Sequence, residues 1–248
     1  MSRNFDLMHD MTRCHDIRPV KTTELAARIP IVDDKVYQQP VPVEDGSVRL
    51  VQQILAPQAI DAPRMIVFAA IEHGNGCTHT AVSVAETLAA NGDRSVCLVE
   101  GNFRSPATSG MFRTGDVHGF SDALSRDGAI RSFAKSIYND RLWIMSAGRL
   151  TAESANLLSS DRLNARCAEL RQEFDIVIVD APPLGHYADA IALGRLSDGV
   201  VLVIEAESTR KESALAAVES LRSSDVKILG AVLNKRVYPI PQKLYSKL

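Results

Sequence analysis

The chain has 248 residues, of which 46% are hydrophobic and 23% are charged, and its net charge at pH 7 is −2. This composition is ordinary for a soluble globular protein with a sizeable core, and the near-neutral charge gives no reason to expect a nucleic-acid partner. No apolar run approaches the roughly 18 residues of a membrane-spanning helix, the charged N-terminus does not resemble a secretory signal, and the four scattered cysteines predict neither a zinc ribbon nor a redox pair.

The first 45 residues are expected to form a flexible N-terminal arm, because they mix charges with prolines and lead into the run QQPVPVEDG at 38–46. Residues 47–55 carry apolar side chains at helical spacing and are followed by Pro57, which predicts a short amphipathic helix. This helix opens the main domain, which we place at residues 46–248.

The main domain alternates predicted strands with predicted helices. The strands are short apolar runs, typical of strands buried on both faces, at residues 65–70, 95–101, 141–148, 175–183, 199–207 and 227–234. The predicted helices span residues 79–92, 154–174, 189–197 and 209–224. This alternation predicts an α/β fold with a doubly wound, mostly parallel sheet, in which ligands bind at the carboxyl ends of the strands.

The turn between the first of these strands and its helix reads Glu-His-Gly-Asn-Gly-Cys-Thr at residues 72–78. Two glycines, one residue apart, allow backbone N–H groups to converge on an anion where a helix begins. The turn resembles a P-loop, with the hydroxyl of Thr78 on Mg²⁺. The predicted phosphate-binding residues are Gly74, Asn75, Gly76, Cys77, Thr78 and His79. The alternative is that the glycines only allow a tight bend.

The lysine of the P-loop pattern, which contacts the β- and γ-phosphates, is replaced by Cys77. A charged hydrogen bond contributes about 1.5–3 kcal/mol, so its loss predicts roughly ten- to hundredfold weaker stabilisation of phosphate charge. Glu72 adds a negative charge beside the turn. The sequence therefore predicts that Mg-ATP or Mg-ADP is bound weakly, if at all, and predicts no other cofactor.

Two carboxylates follow predicted strands. Asp180 ends an apolar strand and precedes Ala-Pro-Pro, the usual arrangement of a Walker B aspartate that holds Mg²⁺ directly or through water. Asp180 is also the candidate catalytic residue if the chain is active. Glu100 ends the second strand and is interpreted either as a further carboxylate of the site or as a solvated loop residue.

Five segments, in order, resemble the nucleotide-binding core of the bacterial tyrosine kinases (BY-kinases) of capsule and exopolysaccharide systems. They lie at residues 66–106, 120–124, 146–163, 174–190 and 230–236, and the resemblance covers roughly residues 47 to 248. It implies a P-loop NTPase-like fold. In an active member it also implies ATP-dependent autophosphorylation of C-terminal tyrosines.

The family's functional residues carry over only in part. The retained positions are the Mg²⁺-binding hydroxyl, the Walker B aspartate, the arginine of the second acidic motif and an asparagine placed near the base, which fall on Thr78, Asp180, Arg104 and Asn234. The departures are Cys77 for the Walker A lysine, and Glu100 and Asn102 for the two aspartates of the second acidic motif. The resemblance therefore implies a degenerate site.

Two other family features are reduced. The helix that mediates ring formation in the family keeps only Arg49, with Gly46 and Gln52 where Glu and Arg are expected, so a homo-oligomer is left open. The C-terminal tyrosine cluster is reduced to Tyr238 and Tyr245, the candidate phosphoacceptors.

The resemblance predicts a BY-kinase-like pseudokinase subunit that acts in exopolysaccharide biosynthesis or export with a membrane chain-length-determinant (co-polymerase) protein. We expect it in the cytoplasm, peripheral at the inner face of the membrane through that partner. The first alternative is an active ATP-dependent tyrosine autokinase, supported by Thr78 and Asp180. A less favoured alternative is a MinD- or ParA-like ATPase, opposed by Glu72 where those enzymes carry a lysine.

Three weaker hypotheses concern this turn and the C-terminal tail. His73, Cys77 and His79 could bind a metal ion. Cys77 could be a redox sensor, because a thiol at a helix N-terminus can have a lowered pKa, or it could be a small neutral filler. The basic tail that begins at Lys235 is either a solvated end or a surface that contacts a partner or anionic lipid.

Overall fold

The computed structural model describes residues 19–21, 45–54, 62–91, 93–114 and 118–236. The strands form one eight-stranded sheet in the order β1-β8-β7-β2-β6-β3-β5-β4. They are β1 (Pro19–Lys21), β2 (Met65–Ala70), β3 (Val96–Glu100), β4 (Lys135–Ile137), β5 (Leu142–Met145), β6 (Ile176–Ala181), β7 (Gly199–Glu205) and β8 (Ile228–Asn234). All neighbouring pairs are parallel except β4 and β5. The predicted α/β fold with a mostly parallel sheet is confirmed.

Seven described α-helices accompany the sheet: α1 (Asp45–Ile54), α2 (Cys77–Asn91), α3 (Thr108–Phe112), α4 (Phe120–Ser125), α5 (Asp161–Glu173), α6 (Asp189–Arg195) and α7 (Lys211–Ser223). The single long helix predicted at residues 154–174 is wrong, because a 3₁₀ helix (Ser154–Ser159) and α5 meet at Ser160. Ser160 has an extended backbone (φ −85°, ψ 153°), and its hydroxyl donates to the carbonyl of Leu157 at 2.7 Å. Serine favours such a helix boundary over a helix interior because its side chain competes for backbone groups.

The central strands are buried on both faces. Met65, Val67 and Ala69 of β2 belong to the apolar core that includes α5 and α7 residues, whereas the alternate residues Ile66 and Phe68 belong to the core formed with α1 and α2. Successive strand residues point to opposite faces, so a continuously apolar strand needs helices on both sides. This packing brings the carboxyl ends of β2, β3 and β6 to one edge of the sheet, where ligands of doubly wound folds bind.

Two edge strands were not predicted. The three residues of β1 lie within the arm at residues 1–45 and pair in parallel with β8, while β4 forms an antiparallel edge beside β5. Apart from β1 and the start of α1, the arm lies outside the described residues. No helix in the described part of the chain is long and apolar enough to cross a membrane.

Candidate nucleotide-binding site

The turn between β2 and α2 adopts a conformation that requires glycine at two positions. Gly74 and Gly76 have φ values of +83° and +85°, which L-residues with a side chain rarely adopt. At Gly76 a Cβ atom would also come within 2.2 Å of the side-chain nitrogen of Asn234, whereas at Gly74 nothing lies within 4 Å. Gly74 is therefore needed for its backbone angle, and Gly76 for both its angle and its close contact.

Backbone N–H groups of this turn point to an anion site. Within the described residues, the N–H groups of residues 74–79 have no hydrogen-bond acceptor, whereas the next one, that of Thr80, donates to the carbonyl of Gly76 at 3.0 Å. The first N–H groups of any α-helix lack intrahelical partners, and together with glycine-rich turns they form cradles for phosphate. The conformation fits the predicted phosphate-binding segment. Phosphate binding itself stays a prediction.

The side chains of Asn75 and Asn234 stabilise the turn through hydrogen bonds. The side-chain oxygen of Asn75 accepts from the N–H of Glu72 at 2.9 Å, and its amide nitrogen donates to Glu205 at 3.2 Å. The amide of Asn234 donates to the carbonyl of Asn75 at 2.9 Å, and its oxygen accepts from the N–H of Lys235 at 2.9 Å. Asn234, predicted to lie near the base, is thus buried and fixes the turn. Contact with a base stays a prediction.

Thr78 and Cys77 begin α2 directly above Asp180. The Thr78 hydroxyl donates to Asp180 Oδ2 at 2.5 Å, so the two predicted Mg²⁺ ligands are in contact. Cys77 is buried, and burial together with the charge of Asp180 raises the pKa of its thiol well above the ordinary value. The thiol is therefore neutral at physiological pH, which contradicts a low-pKa redox sensor. Cys77 fits its other interpretation, a small neutral filler.

Glu100 and Asp180 form a buried carboxyl pair at the ends of β3 and β6. Both side chains are fully buried, so the interpretation of Glu100 as a solvated loop residue is wrong. Glu100 Oε2 accepts hydrogen bonds from the N–H groups of Ala107 and Thr108 at 2.9 and 2.7 Å, and from the Thr108 hydroxyl at 2.7 Å. Among the described residues, Glu100 Oε1 and Asp180 Oδ1 have no hydrogen-bond partner.

Burial disfavours the charged form of both carboxyls. It raises the pKa of Glu100, and it raises the pKa of Asp180 to about 7, with the charge of Glu100 as the second cause. Because two neighbouring carboxylates repel each other, the second of them ionises less readily than the first. The pair is thus suited either to retain a proton or to exchange it for a metal ion.

Mg²⁺ fits this group of residues. Carboxylate and hydroxyl oxygens are the ligands that Mg²⁺ prefers, and it uses one or two carboxylates while keeping several waters. Glu100 and Asp180 each have an oxygen without a partner among the described residues, and Thr78 adds a hydroxyl. By contrast, no group of three His, Cys, Asp or Glu residues within the described ranges could hold a metal ion. The structure therefore does not support the hypothesis of a metal bound by Cys77 and the adjacent histidines.

Residues from the three loops that follow β2, β3 and β6 contact one another at this edge of the sheet. The rings of His73 and His186 stack with their centroids 5.1 Å apart, and Tyr187 lies edge-on to His73 at 6.0 Å. Arg104, which matches the arginine of the second acidic motif, lies 4.8 Å from the Tyr187 ring centre and pairs with Asp189 at 3.2 Å. A cation and three aromatic rings thus cluster on loops that follow β2, β3 and β6, at the edge of the sheet where Glu100 and Asp180 end their strands.

The remaining residues singled out by the sequence either have other contacts than expected or lie outside the described residues. Asn102, in place of a metal-binding carboxylate, is buried and accepts the N–H of Ser105 at 3.2 Å, which is a structural role in the turn. Lys235 is the first residue of the basic tail interpreted as a solvated end or as a surface for a partner or anionic lipid, and it contacts the turn between β2 and α2 through the carbonyl of Gly74. The tail beyond residue 236 lies outside the described residues. Tyr238 and Tyr245 lie outside the described residues.

Comparison with known proteins supports this arrangement. No family model matches the chain. The tyrosine-protein kinase YwqD of Bacillus subtilis (strain 168) is 32% identical over 161 residues, which cover 65% of this chain and 68% of that protein. The kinase domain of the Escherichia coli tyrosine kinase ETK has a TM-score of 0.79 at 18% identity, covering 94% of this chain and 96% of that one. The septum site-determining protein MinD of Pyrococcus horikoshii OT3, complexed with Mg-ADP, has a TM-score of 0.60 at 20% identity, covering 74% and 76%. Both solved structures share the fold.

Proposed function

The chain belongs to the family of bacterial tyrosine-protein kinases, and on that premise we propose that it is a pseudokinase subunit that binds Mg-nucleotide weakly and acts through protein contacts. The observation that carries this proposal is the neutral, buried thiol of Cys77 at the position of the P-loop lysine. Phosphoryl transfer depends on cations that neutralise charge spreading over the transferred group. A neutral thiol cannot supply that charge.

The remaining residues support weak binding. Gly74 and Gly76 hold the turn open for phosphate oxygens, and Asn75 fixes its outer side. Thr78, Asp180 and Glu100 would hold Mg²⁺, which would supply positive charge next to the phosphates. Because a charged hydrogen bond is worth about 1.5–3 kcal/mol, losing the lysine weakens nucleotide binding roughly ten- to hundredfold.

The proposal also includes the pathway in which the chain acts and its membrane partner. We place the chain in export or chain-length control of a surface polysaccharide, together with a membrane chain-length-determinant protein, at the inner face of the membrane. Support comes from the resemblance of five ordered segments to capsule and exopolysaccharide kinases. The absence of a spanning helix among the described residues is consistent with a role that needs a membrane partner.

An active tyrosine autokinase is the alternative that a specific observation favours. Thr78, Asp180 and Glu100 lie together with free carboxyl oxygens among the described residues, as a metal site would require. Membership of the kinase family favours either reading over a MinD- or ParA-like ATPase.

Calorimetry with Mg-ADP on the wild type and on Cys77→Lys tests the proposal. We expect a wild-type Kd on the order of 0.1–1 mM and at least about tenfold tighter binding by the variant, because the added ammonium is worth about 1.4 kcal/mol or more. Low-micromolar binding by the wild type would contradict a degenerate site. Weak binding by both proteins would show that the site is altered beyond position 77.

A further inference from the structure

Lys235 lies against the phosphate-loop turn although 161 residues separate it from Gly74. Its Nζ donates to the Gly74 carbonyl at 2.6 Å and pairs with Glu205 at 3.2 Å. Its Cε lies 4.0 Å from the position that a Cβ of Gly76 would occupy. The ammonium therefore sits beside the two glycines that shape the cradle.

The backbone around Lys235 directs the side chain to this place. Lys235 has a φ of +54°, in the left-handed region that a non-glycine residue adopts infrequently. The side-chain oxygen of Asn234 accepts the N–H of Lys235 at 2.9 Å and so supports this conformation. Because β8 ends at Asn234, the backbone turns at Lys235, and the lysine side chain points toward the turn between β2 and α2.

The charge of Lys235 reaches the start of α2. Gly74, whose carbonyl accepts from the ammonium, lies three residues before Cys77, the first residue of α2. The first turn of α2 carries no acidic residue, and the carboxylate that faces the ammonium is that of Glu205, 3.2 Å away.

The ammonium can change partners. Its side chain is 42% exposed, and an ammonium has three donors on a flexible stem. Phosphate oxygens bearing full charges are stronger acceptors than the Gly74 carbonyl. Arg104 is less suited to this role, because it already pairs with Asp189 and lies on Tyr187.

We propose that Lys235 contacts the phosphates of a bound nucleotide and supplies part of the positive charge that the lysine missing at position 77 would provide. This inference rests on the proposed function, since it requires that the site binds nucleotide. It assigns a phosphate-contacting role to a residue that follows the last strand. It also explains how a turn with Cys77 could keep a measurable affinity for ADP.

Ligand-observed NMR titrations test this role, because they measure dissociation constants in the millimolar range. Mg-ADP and adenosine would be titrated into wild type, Lys235→Ala and Lys235→Arg. Lys227→Ala is the matched control, since Lys227 is an exposed lysine just before β8, at the far end of that strand from Lys235. We expect about tenfold weaker ADP binding by Lys235→Ala, retention within a few-fold by Lys235→Arg, and no change in Lys227→Ala.

Adenosine separates a phosphate contact from a structural role. If Lys235 contacts phosphate, its removal weakens ADP binding and leaves adenosine binding unchanged. Equal losses for both ligands would show that Lys235 only shapes the turn, and an unchanged ADP affinity would overturn the inference while the proposed function stands. Absence of ADP binding by the wild type would overturn both.

Glu205 provides an independent variant. Glu205→Gln keeps an amide oxygen for Asn75 and removes the carboxylate that pairs with the ammonium. We expect roughly three- to tenfold tighter ADP binding, because the released charge turns toward phosphate. This gain should disappear when Lys235→Ala is added. Weaker binding by Glu205→Gln would contradict the proposed exchange of partners.

Discussion

Glu100 and Asp180 lie opposite each other in the register of β3 and β6, and each buries a carboxyl oxygen without a partner among the described residues. A buried polar atom without a hydrogen bond is costly. Two such oxygen atoms lie at this point of the sheet, which indicates that a proton or a cation is bound between the two carboxyl groups. The pair therefore links the stability of the fold to the state of the candidate metal site.

The pH dependence of stability tests this pair. The pKa of Asp180 is raised to about 7 in the folded protein, whereas an unfolded aspartate has a pKa near 3.9. Between these values the folded state holds a proton that the unfolded state has lost, so the free energy of unfolding falls as pH rises.

Asp180→Asn should remove this fall. In a chelator, the variant is expected to gain about 2–4 kcal/mol relative to the wild type between pH 5 and pH 8, since each pKa unit corresponds to about 1.4 kcal/mol. Urea unfolding at both pH values measures it. The control Asp189→Asn changes a carboxylate that is paired with Arg104, outside the buried pair. Parallel pH profiles for wild type and Asp180→Asn would refute the coupling.

The two glycines of the turn allow a matched comparison. Alanine at Gly74 meets no atom within 4 Å and suffers only from its positive φ, so we expect a loss of about 1 kcal/mol. Alanine at Gly76 also displaces the buried amide of Asn234, so we expect a further loss of about 1–3 kcal/mol. Thermal or urea unfolding compares the two variants. Equal losses would show that the contact with Asn234 does not constrain the turn.

Association with a membrane is expected to require a partner. Expressed alone, the chain should remain in the supernatant after membranes are sedimented. Co-expressed with a chain-length-determinant membrane protein, it should sediment with the membranes. Stable sedimentation without any partner would contradict the proposal, and removal of the lysines beyond residue 236 would then test a direct contact with anionic lipid.

The central fold could be predicted because its signals are local. The apolar runs of β2 and β6 are continuous, and such runs predict strands buried on both faces. The three residues of β1 are too few to form a pattern and depend on pairing with β8. The break at Ser160 depends on a hydrogen bond to Leu157, which an amphipathic pattern does not reveal.

Residues of the site could be predicted only where a motif in the neighbouring sequence identifies them. The sequence places Thr78 in a P-loop-like turn and Asp180 at the end of a strand, and the structure brings them into contact. The burial of Glu100 depends on α3, whose Thr108 covers it. The position of Lys235 depends on a turn at the end of β8 that meets a loop from the other half of the sequence. Such tertiary contacts leave no signal in a single sequence.

The most direct test of the central claim is incorporation of labelled phosphate by the purified chain with Mg-ATP. The site lacks the P-loop lysine, and Asn102 replaces a carboxylate that the family resemblance places at the metal. We therefore predict no measurable autophosphorylation by the wild type. Label at Tyr238 or Tyr245 that disappears in Asp180→Asn would contradict the account and identify an active tyrosine autokinase.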